Sequence, residues 1–565
     1  MATRTGGRSS PKASAPGFRR DEQKWGGLIA GVGVALSLTA CTASSPSVNL
    51  EELANGSPIS IILPDRGALI TQAGPLPDQL TVRASQDYAR ANSVTGLIAG
   101  LSDRTRGGIS SNAIIALDPG AGDRALLLDA VRPYGWTPLR GVPILLKDNI
   151  ETTDMPTTAG SLALVGNVPG RDAPLVARLR AAGAVILGKT NLSEWANIRS
   201  PNSISGWSAV GGLTPNPYDP MRTACGSSSG SAAAVAVGLA PAAIGTETDG
   251  SITCPASVTG VVGFKPTVGL VSRTHIVPIS DSQDTAGPIT TTVEDAAIVL
   301  TAIAGSDPLD PATAEADARK VDYRVALDAN SLQGARLGVM RFLIADYSTE
   351  ARAEFERALV NLRAAGAEIV EITEAPADFR RIGGWELTVL LTELKHDLNL
   401  YLASTDPQQV RTRTLADVIA FNAAEPRETV LFGQELFERA EATGGLDDPA
   451  YVEARARSFQ ASGPDGIDRM MAANSVVALI APTTSRAWTN DREDDDDMEG
   501  SASRLAAVAG YPHLTVPMGF DRGLPVGLSF IGGKWDDARI LSLGYAYEQA
   551  THERRPPLPP VQPSS

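Results

Sequence analysis

Residues 245–254 read GTETDGSITC, and residues 225–231 read CGSSSGS. Both crowd glycine and small hydroxyls where a packing element would place Leu, Ile or Val, so neither reads as an ordinary core helix or strand. Each carries one serine of interest, Ser251 and, 24 positions earlier, Ser227. The flanks are orderly. A small-residue helix is predicted over residues 231–240, followed by AAIG as a buried strand. Upstream, residues 172–187 give a candidate cap at Asp172, a helical pattern, a stop at Gly183 and the strand AVIL. This alternation predicts an α/β fold, a central twisted mixed sheet covered by helices on both faces.

The chain has 565 residues, 43% hydrophobic and 20% charged, enough apolar material for a large core. Its net charge of -15 argues against nucleic acid as a partner, because a phosphate-binding surface needs clustered Lys and Arg. Residues 330–474 form a helix-rich elaboration with charged helical windows such as TEARAEFERALVNLRAAG, and pocket residues are expected from it. Sheet patterns resume in HLTVPMG and GLPVGLSFIGG. DREDDDDMEG (491–500) lacks the alternating spacing of a calcium loop and reads as a solvated turn. The main domain is expected over residues 61–555, and residues 556–565 form a Pro-rich tail.

The N-terminus reads separately. Arg19, Arg20 and Lys24 precede an apolar run, residues 25–40, that is too short and glycine-rich to span a membrane comfortably. It ends in Leu38-Thr39-Ala40-Cys41, which resembles the lipobox of bacterial lipoproteins. Residues 1–40 are therefore expected to be a signal peptide, and Cys41 the acylated residue of a lipid anchor to a membrane, followed by a flexible tether to residue 60. The expected location is the extracytoplasmic side of a bacterial cell envelope. The arginine pair leaves the export route open, since Asp21-Glu22-Gln23 lacks the apolar residues expected after a twin-arginine signal. Two other cysteines remain, Cys225 and Cys254, either bridged if the two serine segments meet or left as buried thiols.

A nucleophilic serine needs a base. Of the four histidines, His396 and His552 sit in charged surface-like windows, and His275 and His513 in loop-like stretches without a flanking catalytic pattern. A Ser-His-Asp triad stays open, although no nucleophile elbow precedes a suitable helix, and no histidine pair stands at metal-ligand spacing, so neither a metal nor a cofactor is implied. GVPILLKDNI (141–150) instead places Lys147 at the end of a strongly apolar strand. A desolvated lysine loses pKa; a fall of roughly 3 units from about 10.4, equivalent to about 4 kcal/mol, makes it a base near neutral pH. The alternative is a structural lysine paired with Asp148.

In order and spacing, GVPILLKDNI, CGSSSGS and GTETDGS resemble the amidase signature family, whose catalytic group is a Ser-cisSer-Lys triad. SLALVGN, GAVILGKTNLSEWAN, GVVGFKPTVGLVSR, ISDSQDTAGPI and AGSDPLD are also similar to that family's core, so the likeness runs from about residue 70 to 545. Within the family, CGSSSGS and GTETDGSITCP look like the peptide amidases of bacteria, which deamidate C-terminal peptide amides. The resemblance implies Ser251 as nucleophile, Ser227 as the serine after a cis peptide, and Lys147 as base. It also implies an oxyanion hole from the main-chain N–H groups of Thr248, Asp249, Gly250 and Ser251, with Gly226 and Ser228 in support. Asp249 stands where glycine is usual, and Thr253 where many members have arginine.

The function implied is hydrolysis of a carboxamide, a peptide amide or similar small primary amide, through an acyl-serine. Alternatives are a broader aryl or alkyl acylamidase or esterase of the same family, and a silent binding protein on this fold. The subunit of a tRNA-dependent amidotransferase shares the fold, but export separates it from a cytosolic partner.

Overall fold

All five residues of Pro143–Lys147 are buried, and so are all six of Ala242–Glu247, which is why neither run alternates apolar with polar. A strand covered on both faces needs apolar residues at every position. In the computed structural model the two strands lie side by side and parallel, Ile144 opposite Ala242 and Leu146 opposite Ile244. Their side chains divide between two cores. Ile144, Leu146, Ala242 and Ile244 enter one, whereas Leu145 and Ala243 enter the other. Truncating such a residue, for instance Leu145→Ala, costs about 2 to 5 kcal/mol.

The structure describes residues 66–71, 73–106, 112–131, 137–490 and 499–558. The expected signal peptide, Cys41, the tether, most of the acidic turn and the end of the Pro-rich tail lie outside them. The strands are β1 (Ile114–Leu117), β2 (Pro143–Lys147), β3 (Val185–Thr190), β4 (Trp207–Ser208), β5 (Gly212–Leu213), β6 (Ala242–Glu247), β7 (Val262–Lys265), β8 (Thr285–Thr290), β9 (Arg336–Met340), β10 (Glu368–Ile372), β11 (Ala478–Pro482), β12 (His513–Asp521) and β13 (Leu524–Ile531). Apart from the β4–β5 pair they build one mixed sheet of eleven strands, ordered β1-β3-β2-β6-β8-β7-β12-β13-β11-β9-β10. The fold is α/β, with helices packed on both faces.

Local chemistry sets where the neighbouring helices begin and end. Helix α1 (Pro174–Ala181) starts with proline at its first turn, where the missing N–H costs nothing, and stops before Gly183 at φ +90°. Its N-cap is Ala173, which corrects the expected cap at Asp172; that carboxylate accepts from the Thr153 N–H and from Arg180. Helix α2 (Ser229–Ala236) is buried along its whole length and built of Ala, Gly, Ser and Val, so it packs close to the sheet. Helix α3 (Thr253–Val258) begins just after Ser251, its first N–H groups held by Glu247: Ile252 and Thr253 donate to Oε2 at 2.7 and 2.9 Å. A carboxylate at a helix N-terminus is the favoured sign for the helix dipole.

Residues 330–474 do more than add helices. They contribute the parallel strands β9 and β10, of which β10 is the edge of the sheet, besides α4 (Thr349–Ala364), α5 (Ile382–Ser404) and α6 (Pro449–Ser462). The chain returns through helix α7 (Ser503–Ala509) to the antiparallel pair β12–β13. No helix among the described residues is long and apolar enough to cross a membrane.

Candidate active site

Because β2 and β6 are parallel, Lys147 at the end of β2 and the TETDGS turn after β6 emerge at the same edge of the sheet, the edge where open α/β sheets place their ligands. Lys147 is fully buried. Its Nζ donates to Ser227 Oγ at 2.7 Å, to Thr246 Oγ1 at 2.8 Å and to the Thr246 carbonyl at 3.1 Å. Burial pulls its pKa down from 10.5 to about 7, the charges of Asp284 and Glu247 opposing that shift. Asp148 is not its partner; that carboxylate pairs with Lys189, so the alternative of a structural Lys147–Asp148 pair falls.

Ser227 is also fully buried, and the Gly226–Ser227 peptide is cis. The Ser193 N–H donates to the Ser227 carbonyl at 3.0 Å. Gly226 permits this approach, because a Cβ there would lie 2.1 Å from Ser193 Oγ. Ser228 ties the two serine segments together: its N–H donates to the Ser251 carbonyl at 3.1 Å, while its Oγ donates to the Thr246 carbonyl at 3.1 Å and accepts from the Thr246 N–H at 3.2 Å. A disulfide between Cys225 and Cys254, Cα atoms 6.1 Å apart, adds a covalent link between the same segments.

Ser251, Gly250, Asp249 and Thr248 line a cavity of about 960 Å³. Gly250 adopts φ +81°, a region that other residues enter only with strain. Among the described residues, the main-chain N–H groups of these four find no acceptor. Thr248 is fixed from behind, its Oγ1 donating to Asp284 Oδ1 at 2.5 Å and its carbonyl accepting from Gln283 Nε2 at 3.3 Å. Chemically the arrangement is a cavity-lining hydroxyl with adjacent free N–H donors and, in the segment tied to it through Ser228, a buried hydroxyl hydrogen-bonded to a buried lysine whose pKa is drawn down to about 7.

The histidines stand apart from this centre. His513 corrects the loop-like reading: it opens β12, is fully buried, and shares a 2.6 Å hydrogen bond with Ser529 Oγ. Burial pushes its pKa down to about 3. His275 sits with Nδ1 3.7 Å from Glu151, and His396 and His552 lie on α5 and at the end of the last helix, Asp537–Thr551. None lines the cavity. Among the described residues no cluster of His, Cys, Asp and Glu could hold a metal ion.

Several working residues escape a reading of the sequence. Thr246 supplies two of the three acceptors around Lys147, and Asn149 Nδ2 donates to Thr246 Oγ1 at 3.0 Å. The helix-rich segment was expected to provide the pocket walls but contributes only Leu343, Asp346, Phe379 and Leu390. The walls come mainly from residues 196–205, 488–490 and 500–505. The turn that enters the first of these carries positive φ at Trp195, Ala196 and Asn197, a conformation only the asparagine announces.

The comparisons with known proteins give the family. The family model described as Amidase matches residues 111–541. A probable amidase of Arabidopsis thaliana is 39% identical over 459 residues, covering 79% of this chain and 84% of that protein. Among solved structures, the native peptide amidase from Stenotrophomonas maltophilia is 49% identical with a TM-score of 0.81, covering 86% of this chain and 100% of that one. The peptide amidase PAM in complex with the competitive inhibitor chymostatin is 50% identical with a TM-score of 0.80, covering 85% and 99%. The chain therefore belongs to the amidase family and is an amide-hydrolysing enzyme.

Proposed function

We propose that the protein hydrolyses the terminal carboxamide of short peptide amides, or of similar small primary amides, releasing ammonia through an acyl-enzyme on Ser251. The observation that carries the catalytic assignment is the 2.7 Å hydrogen bond between Lys147 Nζ and Ser227 Oγ at full burial. Neutral Lys147 takes the Ser227 proton as Ser227 takes that of Ser251, whose oxygen forms a bond to the amide carbon. A hydroxyl donates and accepts at once, which suits Ser227 to the middle of the relay. The N–H groups of Thr248 to Ser251 receive the developing oxyanion; one such donor is worth about 2.7 to 4 kcal/mol. Run backwards, the relay protonates the departing nitrogen, the C–N bond breaks, and water then cleaves the acyl-serine by the same route.

The peptide-amide class rests on the two peptide amidase structures that this chain resembles at about half identity. The location rests on the residue pattern 19–41 and is supported by the Cys225–Cys254 bridge, since disulfides persist in oxidising compartments. We place the protein at the extracytoplasmic face of a bacterial envelope, anchored by a lipid on Cys41.

The test is product analysis over a panel of peptide amides, simple primary amides, anilides and esters, with the acyl adduct located by mass spectrometry. Ammonia release from peptide amides and an adduct on Ser251 are expected, with Ser251→Ala losing about four orders of magnitude or more in kcat. Faster cleavage of anilides or esters would move the substrate class to the broader acylamidases, and an adduct elsewhere would overturn the assignment of the nucleophile.

A further inference from the structure

Asp249 is the residue of the serine turn that the relay does not explain. Its main-chain N–H belongs to the free group assigned above to the oxyanion, but its side chain also reaches the cavity, and Oδ1 is buried without a hydrogen-bond partner among the described residues. A buried acceptor without a donor costs free energy unless a ligand supplies one. The other oxygen, Oδ2, lies 3.9 Å from Arg504 Nε. Arg504 Nε in turn donates to Glu386 Oε2 at 3.2 Å, and Glu386 Oε1 accepts from Gln283 Nε2 at 3.1 Å. Gln283 Nε2 also holds the Thr248 carbonyl at 3.3 Å, so main chain and side chain of the turn are braced by one network.

Resting on the amide-hydrolase reading above, we propose that Asp249 is a specificity-determining residue whose carboxylate accepts the N–H on the α-nitrogen of the acyl residue of the substrate. The placement follows from connectivity. The substrate's α-nitrogen is joined to the α-carbon, next to the attacked carbonyl, and the carbonyl oxygen sits against the N–H groups of residues 248–251. A side chain rooted in that same turn points its acceptor at what flanks the carbonyl. The charge balance selects a neutral N–H over an ammonium group. Arg504 stands beside both Asp249 and Glu386, and burial, with the charge of Asp249, pushes the Glu386 carboxyl up to about 8, so near neutral pH the guanidinium offsets the Asp249 carboxylate and leaves a strong hydrogen-bond acceptor without the net field that a cation site needs. The same offset lets a carboxylate stand next to a developing oxyanion, which unscreened like charges would oppose.

The experiment compares kcat/KM of the purified protein for three amides: N-acetyl-leucinamide, its ester analogue of the same shape with oxygen in place of the α-nitrogen, and leucinamide with a free ammonium and no acetyl group. The wild type is expected to prefer N-acetyl-leucinamide over the oxygen analogue by about 10- to 100-fold, the discrimination a site shows when its buried polar group is left unpaired. Asp249→Ala should bring that ratio close to one. Asp249→Asn, which keeps the shape and a weaker acceptor, should give an intermediate ratio and serves where the alanine variant does not fold. A ratio in both variants equal to that of the wild type overturns the proposal, as does a wild-type preference for leucinamide that Asp249→Asn abolishes, because that marks a cation site. Equal wild-type turnover of the acetylated pair sinks this inference alone, whereas release of ammonia from none of the three sinks the peptide-amide reading beneath it.

Discussion

Lys189 Nζ lies 3.3 Å from Asp148 Oδ1, so the acidic neighbour of Lys147 in the chain serves a different lysine. The register explains it. Leu146 stands opposite Lys189 and Lys147 opposite Thr190, so alternation along the strands turns the two lysines to opposite faces of the sheet. Lys189 also donates to the Ile150 carbonyl at 2.6 Å and to Thr157 Oγ1 at 2.9 Å. One lysine thus completes a buried ion pair, and the other is left without a counter-charge in hydrogen-bond contact.

The two lysines are therefore expected to separate stability from rate. Lys189→Met strands the buried Asp148 carboxylate and should cost about 3 to 5 kcal/mol. Lys147→Met should abolish turnover while leaving stability unchanged or improved near neutral pH, because holding this lysine at a pKa of about 7 instead of 10.5 costs about 4 kcal/mol there, offset by its lost hydrogen bonds. The sign follows from linkage. Between pH 7 and 10.5 the unfolded chain binds more protons at this group, so wild-type stability rises with pH across that window. The advantage of the methionine variant should be full below pH 7 and fade towards pH 10.5; urea titrations at several pH values measure it.

The Cys225–Cys254 bridge closes a loop with a sequence separation of 29 and joins the segments that carry Ser227 and Ser251. The double variant Cys225→Ala/Cys254→Ala should lose about 3 to 4 kcal/mol of stability by the chain-entropy relation. Because the bridge borders the cavity, kcat should fall along with it. Denaturation monitored with and without reductant checks the first expectation, and an unchanged midpoint would show that the bridge is absent in solution.

Lipid anchoring has its own test. Cys41→Ala should move the protein from the membrane to the soluble fraction, since the acyl chains of a lipoprotein exceed what a single marginal chain supplies. Fractionation unaffected by the substitution would exclude the anchor.

The candidate centre was legible from the combination of three motifs and not from any one of them: Lys147 alone also fits a structural ion pair, and Ser229 to Ser231 serve the close packing of α2, but GVPILLKDNI, CGSSSGS and GTETDGS together resemble one family. The sheet was legible from the apolar runs PILLK and AAIG. What stayed hidden depends on distant pairing or on backbone shape. Arg504 and Glu386 meet across 118 residues, and Thr246 looks like any strand threonine until Lys147 is placed against it. Trp195 and Ala196 carry no mark of the left-handed turn that swings residues 196–205 into the cavity wall. Asp172 looked like a cap because the residue that ends up there, Ala173, has no capping side chain, and Pro174 starts the helix by fixing its own φ.

The central claim is that Lys147 acts as a neutral base, and the pH dependence of kcat/KM for Lys147→Arg beside the wild type tests it most directly. The wild type should lose activity tenfold per pH unit below a pKa near 7, as Lys147 takes up the proton that prevents it from accepting that of Ser227. Arginine keeps the positive charge but cannot release its proton in this range. The folded variant is expected to show negligible turnover at every pH from 6 to 9, with no acid limb. A folded Lys147→Arg enzyme that hydrolyses amides at close to the wild-type rate, with the acid limb still near pH 7, would contradict the relay through Ser227.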